Sequence, residues 1–430
     1  MKKTLNFPFY YGWVIVAVAF LSMGIWLSMR TTFSVFLVAF LDEFHWSRAS
    51  AAGVQSVSFV VYTFTAPLVG ALIDRYGARK VVLPGIAVLC LGLLLSAFVR
   101  SLLHLYLIYG VLVAFGVTFI SIIVYSTILS HWFLIRRGLA SGIAVSGMGV
   151  GTFVLVPLTQ YLINAAGWRS SFLMLGGAIF VTLFPLTAIF LRNKPAELGL
   201  CIDGITEPDD TVNRTHRKVE IVDEAWTKKD WTFASVVREK RFWAVLTYSF
   251  LIIIPVYVLL IHGVKLLVDR GFNKMDAAFM IALAGISSSI FKIFWGWLSD
   301  RIGREITFTL GAFAMALGVF ALLLLEGGSP LWFVYLFVVL FGCGWGVTAT
   351  TFMSVSADLF QGKSFGLIYG INEAVIGLGS ALGPWLGGFV FDQTGTYRIA
   401  LLIAIGTSIA SCPFLWMAAP RKVRRPGRLV

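Results

Sequence analysis

Apolar runs of 18 or more residues recur along almost the whole length of this chain, and that repetition leaves it few folds outside a lipid bilayer. A hydrocarbon core about 30 Å thick is crossed by about 20 residues of α-helix. The runs define twelve spans, near 11–41, 49–73, 81–99, 102–130, 138–164, 168–191, 242–268, 275–299, 306–326, 330–357, 364–391 and 396–419. Outer-membrane strands alternate polar and apolar over roughly ten residues, so these continuous runs exclude a barrel. With 58% hydrophobic residues and 37 Phe, the 430-residue chain carries more apolar surface than a water-soluble core could bury. The expected fold class is an all-α membrane protein with twelve transmembrane helices in two six-helix bundles.

The stretch "MKKTLNFPFYYGW" is basic and leads into an apolar run too long for a signal peptide, so it should remain as the first span. The four cysteines, Cys90, Cys201, Cys343 and Cys412, are scattered and give neither a disulfide framework nor metal-ligand spacing. No cofactor is expected.

The net charge of +13 is explained by where the cations stand. Alternate connections on one side hold Lys2, Lys3, Arg75, Arg79, Lys80, Arg136, Arg137, Arg301, Arg304, Lys363, Arg421, Lys422, Arg424, Arg425 and Arg428, fifteen in all. The other side holds six: Arg48, Arg100, Arg169, Arg270, Lys274 and Arg398. Basic loops stay cytoplasmic, which puts both termini inside and leaves no reason to invoke nucleic acid. A polar segment with ten basic and ten acidic residues, 192–241, reads as a cytoplasmic linker between a bundle at 1–191 and a second at 242–430 with a basic tail. Its sequon at Asn213 is a chance occurrence in a cytosolic setting.

"GALIDRYGARK" at 70–80 returns as "GWLSDRIGRE" at 296–305, each ending the second span of its half. The chain therefore reads as two parallel repeats. Gly70 and Gly296 would let a neighbouring helix approach, and Asp74 or Asp300 would sit near that helix's positive N-terminal end. Arg75, Arg79 and Lys80 could pair with acids across the interface, with Gly77, Arg301, Gly303 and Arg304 completing a cytoplasmic gate. A topogenic charge cluster that only fixes orientation is the alternative.

The pattern G-x-x-x-D-R-x-G-R/K resembles the signature of the major facilitator superfamily, and the likeness covers essentially the whole chain. It implies a substrate site at mid-membrane and alternating access. "YYGWVIVAVAFLSMG", "HWFLIRRGLASGIAVSGMGVG", "GWRSSF", "NKPAELGL" and "FGLIYG" resemble the monocarboxylate transporter and oxalate:formate antiporter branch.

Independently of that likeness, ionisable residues inside spans are costly, about 2.5–3.5 kcal/mol for a central Arg or Lys, and are candidates for function. Arg30 lies about 18 Å in from Asp42, Lys292 about 12 Å from Asp300 and Glu373 about 15 Å from Lys363, taking 1.5 Å per residue. Two cations and one anion leave a remainder of +1, suited to one carboxylate held between Arg30 and Lys292. Pairing of either cation with Glu373 is the structural alternative, and Glu373 reads equally as a proton carrier or a structural partner. His262, about 10 Å from the outer end of span seven, could bind a proton or face a vestibule with no coupling role. Lys265 should snorkel.

The resemblance sharpens these readings. Related transporters carry an arginine where Lys292 stands, and lysine lacks its two-pronged grip on a carboxylate. The antiporter's second cation falls on Asn372, which is neutral and speaks against a dianion. An aspartate of the eukaryotic-type relatives falls on Ser288, so their proton relay does not carry over. Their span-one lysine lies within one position of Arg30. Tyr125 and Tyr369 match aromatic positions able to donate hydroxyls to a carboxylate, and Tyr369, Asn372 and Glu373 share one helical face.

The expectation is a secondary transporter of small organic monocarboxylates, coupled to protons or a counter-anion, monomeric, in the plasma (inner) membrane. It is not expected to be an enzyme, since no nucleophile motif, zinc spacing or phosphate loop is present. A drug:proton antiporter and a non-transporting anion receptor are the rival readings.

Overall fold

The structure, a computed structural model, describes residues 9–46, 48–204, 220–272, 274–325 and 330–425. The sequon at Asn213 and the cations Lys2, Lys3 and Arg428 lie outside them.

The first span is α1 (Gly12–Thr31) followed by α2 (Phe33–Phe44), parted only at Thr32. Next come α3 (Arg48–Tyr76) and α4 (Ala78–Ser96). The fourth span opens as α5 (Leu102–Leu105), widens into a π-helix over Tyr106–Val113, and continues through α6 (Ala114–Thr118) and α7 (Ile122–Trp132). Helical hydrogen bonding then runs from Arg137 to Phe190 as α8, 54 residues, which if straight would measure about 80 Å. Gly167, at φ 77° and ψ 162°, breaks it into two legs, each long enough for one crossing.

Short elements follow: β1 (Glu220–Ile221), α9 (Glu224–Lys228) and α10 (Phe233–Val236). The remaining spans are α11 (Lys240–Asp269), α12 (Lys274–Ile302), α13 (Arg304–Leu324), α14 (Leu331–Phe360), α15 (Phe365–Thr394) and α16 (Arg398–Ala418). After them β2 (Arg424–Arg425) pairs antiparallel with β1, Glu220 opposite Arg425 and Ile221 opposite Arg424. Among the described residues eleven helices are long and apolar enough to cross a membrane. Taking the two legs of α8 separately, the twelve expected spans are all present.

Gly77 and Gly303, the second glycines of the repeated phrase, take φ of +82° and +96° at the α3–α4 and α12–α13 turns. Side chains resist that conformation, so glycine at each lets the next span start without strain.

The chain divides into two compact units. One comprises Met1–Leu134, Gly147–Asp209 and Lys363–Ala374; the other comprises Ile135–Ser146, Asp210–Gly362 and Val375–Val430. Each unit thus includes a short segment from the opposite half of the sequence. In the first, Phe36 stacks on Phe172 with centroids 3.8 Å apart, and Trp168 meets Phe40 edge-on at 4.9 Å. Trp168 Nε1 donates to Glu43 at 2.6 Å, and Arg169 pairs with the same carboxylate at 2.7 Å. In the second unit α13 packs on α14 and α16, and Gly344 lies directly against the backbone of Met315. Large apolar side chains such as Phe64, 78% exposed, point outward along the spans, an arrangement that hydrocarbon tolerates.

A side chain at Gly344 would collide with Met315, so Gly344→Leu should cost about 1–3 kcal/mol through overpacking. Scanning fluorimetry of the detergent-solubilised protein should show a lower melting temperature for it. Gly406→Leu, with no atom within 4 Å of the added Cβ, should melt with the wild type.

Candidate functional site

In the first unit, Asp74 sets its carboxylate against the first turn of α15. The backbone amides of Gly366 and Leu367 donate to its two oxygens, each at 2.8 Å. These amides have no partner within their own helix, and the helix N-terminus carries partial positive charge, so the carboxylate satisfies both. Close approach is what makes this possible: a Cβ on Gly70 would strike the Gly366 carbonyl, and one on Gly370 would strike Ala66. Arg79 donates to the Ala188 carbonyl and its own amide donates to Asn193 at 3.2 Å. Arg75 is exposed and lies 5.1 Å from the ring centre of Tyr76, and Lys80 is also exposed.

The second unit repeats the contact and adds ions. Asp300 accepts from the amides of Gly138 at 2.9 Å and Leu139 at 2.8 Å, the first turn of α8, where Gly296 faces Gly138. Arg304 Nη1 also reaches Asp300, at 2.7 Å, and Arg304 Nε reaches Asp358 at 2.9 Å. Arg137, 1% exposed, donates to Asp358 at 2.6 Å and to Gln361 at 3.0 Å. Arg301 lies outside this cluster, exposed, 3.7 Å from the ring centre of Trp297. Sequence reasoning missed Asp358 and Arg137 as members of this cluster. Asp358 stands just beyond the expected end of span ten, and Arg137 reads as one more loop cation.

Beyond the membrane-spanning part of this unit, burial pushes Arg424 down to about 10, and the neighbouring Arg137 and Arg304 add to the shift.

Midway along the first unit's helices stands a second cluster. The Arg30 guanidinium carbon lies 4.0 Å from the ring centre of Tyr62, 5.0 Å from Trp26 and 5.1 Å from Phe59. Tyr62 donates its hydroxyl to Glu373 Oε2 at 3.1 Å, and Tyr369 faces the same carboxylate from α15. Tyr369, Asn372 and Glu373 are 0%, 2% and 4% exposed, and among the described residues neither side-chain atom of Asn372 has a partner. Arg30 and Glu373 interact through space, yet no ion pair joins them among the described residues. Arg30 also borders a cavity of about 20 Å³ with Gln55, Ser58 and Tyr109, room for about one water. No sequence pattern distinguished Tyr62 from the many aromatics of the spans.

In the second unit Lys292 is 2% exposed, its ammonium 5.3 Å from the ring centre of Trp345. No acid lies within ion-pair distance of it among the described residues. Ser288, one turn away on the same face of α12, is fully buried with its hydroxyl unpartnered among the described residues. His262 bridges helices: Nε2 lies 2.8 Å from the Pro384 carbonyl and Nδ1 lies 3.3 Å from the Tyr397 hydroxyl. Lys265 pairs with Asp269. In the first unit, Tyr125 is fully buried and shares a 2.5 Å hydrogen bond with Ser22.

The family profile described as Major Facilitator Superfamily matches residues 12–368. This chain belongs to the Major Facilitator Superfamily. Among curated relatives, monocarboxylate transporter 11 of Mus musculus is 30% identical over 429 residues, covering 96% of this chain and 88% of its own length. Monocarboxylate transporter 13 of Bos taurus is 28% identical over 396 residues, covering 92% and 86%. Monocarboxylate transporter 2 of Homo sapiens is 26% identical over 397 residues, covering 90% and 81%. The solved proton:xylose symporter XylE superposes with a TM-score of 0.75 at 15% identity, covering 95% of each chain. The human organic anion transporter MFSD10 gives 0.67 at 17%, covering 95% and 100%. At such identities these structures show the shared fold. The chain is a multi-pass membrane transporter of the superfamily rather than an enzyme, and its curated relatives are monocarboxylate transporters.

Removing one member of a buried ion cluster leaves the others uncompensated, typically at a cost of about 3–5 kcal/mol. Asp358→Ala should therefore lower the melting temperature markedly, since it strands Arg137 and Arg304 together. Arg75→Ala, at an exposed position, should leave it nearly unchanged. Equal effects of the two would contradict the assignment.

Proposed function

We propose that this transporter carries small organic monocarboxylates of the lactate, pyruvate or formate kind by alternating access, coupled to protons or to a counter-anion. One observation carries the reading: the transmembrane helices of each unit hold a cation with no acid at ion-pair distance among the described residues, half-buried Arg30 in the first and buried Lys292 in the second. An uncompensated cation in a low-dielectric interior is costly, and a carboxylate guest lowers that cost. Basic character also fits poorly with a cationic drug. The curated relatives, which are monocarboxylate transporters, point the same way.

Asn372, with a neutral buried amide, supports a monoanion over a dianion, and Tyr369 offers a hydroxyl on the same helix face. Tyr125 and His262 are further candidates for contact with substrate, although each already holds a hydrogen bond within its own unit. Glu373 and His262 are the candidates for carrying a coupled proton. The contacts of Asp74 with α15 and of Asp300 with α8 serve as latches of the cytoplasmic gate, together with the glycines and cations of the two motif copies. The fifteen-to-six imbalance of basic residues supports cytoplasmic termini in a plasma (inner) membrane. The functional unit is a monomer.

Uptake of radiolabelled lactate, pyruvate and formate into proteoliposomes tests this reading. Arg30→Ala and Lys292→Ala should each reduce uptake at least about tenfold, the loss of one charge-assisted contact of about 1.5–3 kcal/mol. Uptake unaffected by both substitutions would rule the anion site out. Binding without flux in the wild type would instead favour a receptor.

A further inference from the structure

Among the contacts of Tyr62 in the first unit, two fall on groups of opposite charge. Its hydroxyl donates to Glu373 at 3.1 Å while its ring face carries the Arg30 guanidinium at 4.0 Å. Tyr62 and Glu373 are each 4% exposed, so the hydroxyl–carboxylate contact is shielded from water, while Arg30 on the ring face is half-buried. Trp26 and Phe59 complete an aromatic seat, which attracts a cation without neutralising it. The charge of Glu373 therefore acts on Arg30 across the Tyr62 ring and not through a direct pair.

Resting on the monocarboxylate reading, we infer that Tyr62 is a positioning residue that links a proton on Glu373 to an anion at Arg30. With Glu373 ionised, the hydroxyl is held by the carboxylate, and the charges of Arg30 and Glu373 sum to zero. A proton delivered from water to the Glu373 carboxylate cancels that anion and leaves Arg30 as the uncompensated cation. A carboxylate guest then restores neutrality. Coupling of this kind is reciprocal: the proton raises affinity for the anion, and the bound anion holds the proton. The titratable groups facing Glu373 are Tyr62 from α3, Tyr369 from α15 and Arg30 from α1. Asp74, the acid nearer the start of α15, is engaged by Gly366 and Leu367.

The two functions of Tyr62 are separable by substitution. Tyr62→Phe keeps the ring and removes the donor, whereas Tyr62→Ala removes both. A donor stabilises the charged form of a carboxylate, so its removal favours the protonated form. Labelled lactate uptake into proteoliposomes is measured with equal pH on both sides, from about pH 5 to 8, a range in which perturbed carboxylates titrate. The wild type should lose uptake as pH rises, and in Tyr62→Phe the midpoint should move up by about one pH unit. Tyr62→Ala should raise KM for lactate about tenfold or more at the acid end. In a Glu373→Gln background, Tyr62→Phe should produce no further shift. A Tyr62→Phe profile that coincides with the wild type, or one that shifts equally with Gln at 373, overturns the inference. Wild-type protein that takes up none of the three acids overturns the proposed function itself, and melting curves of each variant separate misfolding from either result.

Discussion

A backbone amide in hydrocarbon finds no water, and a protein group must take its place. Along the twelve spans the helix itself provides that group; at helix starts it cannot, because the first turn has no preceding carbonyl to donate to. The structure meets this at two equivalent points, where Asp74 accepts the first amides of α15 and Asp300 accepts those of α8. Both contacts require backbones close enough to touch, hence glycine at 70, 366, 296 and 138. They also tie the start of α15 into the first unit and the start of α8 into the second, although both segments come from the opposite half of the chain.

The repeat is not symmetric in its ions. Arg304 finds Asp358 and, through it, Arg137, so the second unit holds a buried network. The first copy has Ala78 at the position of Arg304, and Arg79, one residue on, donates to the Ala188 carbonyl. Breaking the first unit's contact therefore exposes two amides and one carboxylate, while breaking the second also separates buried charges. The carboxylate–amide bonds are charge-assisted in both units, and the second adds ion pairs to them, so the two contacts differ in strength.

The apolar runs made the twelve spans legible, since a helix is the only continuous element that satisfies its own backbone in lipid. Even the break between the fifth and sixth spans, set between 164 and 168, falls where the connection shrinks to Gly167. The π-helical stretch at Tyr106–Val113 gave no sequence signal, because its hydrogen-bond shift depends on neighbours and not on composition. Arg30, Lys292 and Glu373 stood out as charges amid apolar residues. Tyr62 did not, for an aromatic residue in a span looks the same whether it faces lipid or seats a cation.

What the sequence determined by itself was the fold class, the duplicated architecture and the positions of the intramembrane charges, because each follows from the cost of polar groups in a low-dielectric medium. Tertiary structure alone decided the partners: Arg30 over three aromatic rings and not against Glu373, Lys292 beside Trp345 with no acid at ion-pair distance among the described residues, and Arg137 drawn from a loop into a buried pair with Asp358. Those partners lie up to 221 positions apart along the chain, from Arg137 to Asp358, and only packing brings such separated residues into one electrostatic environment.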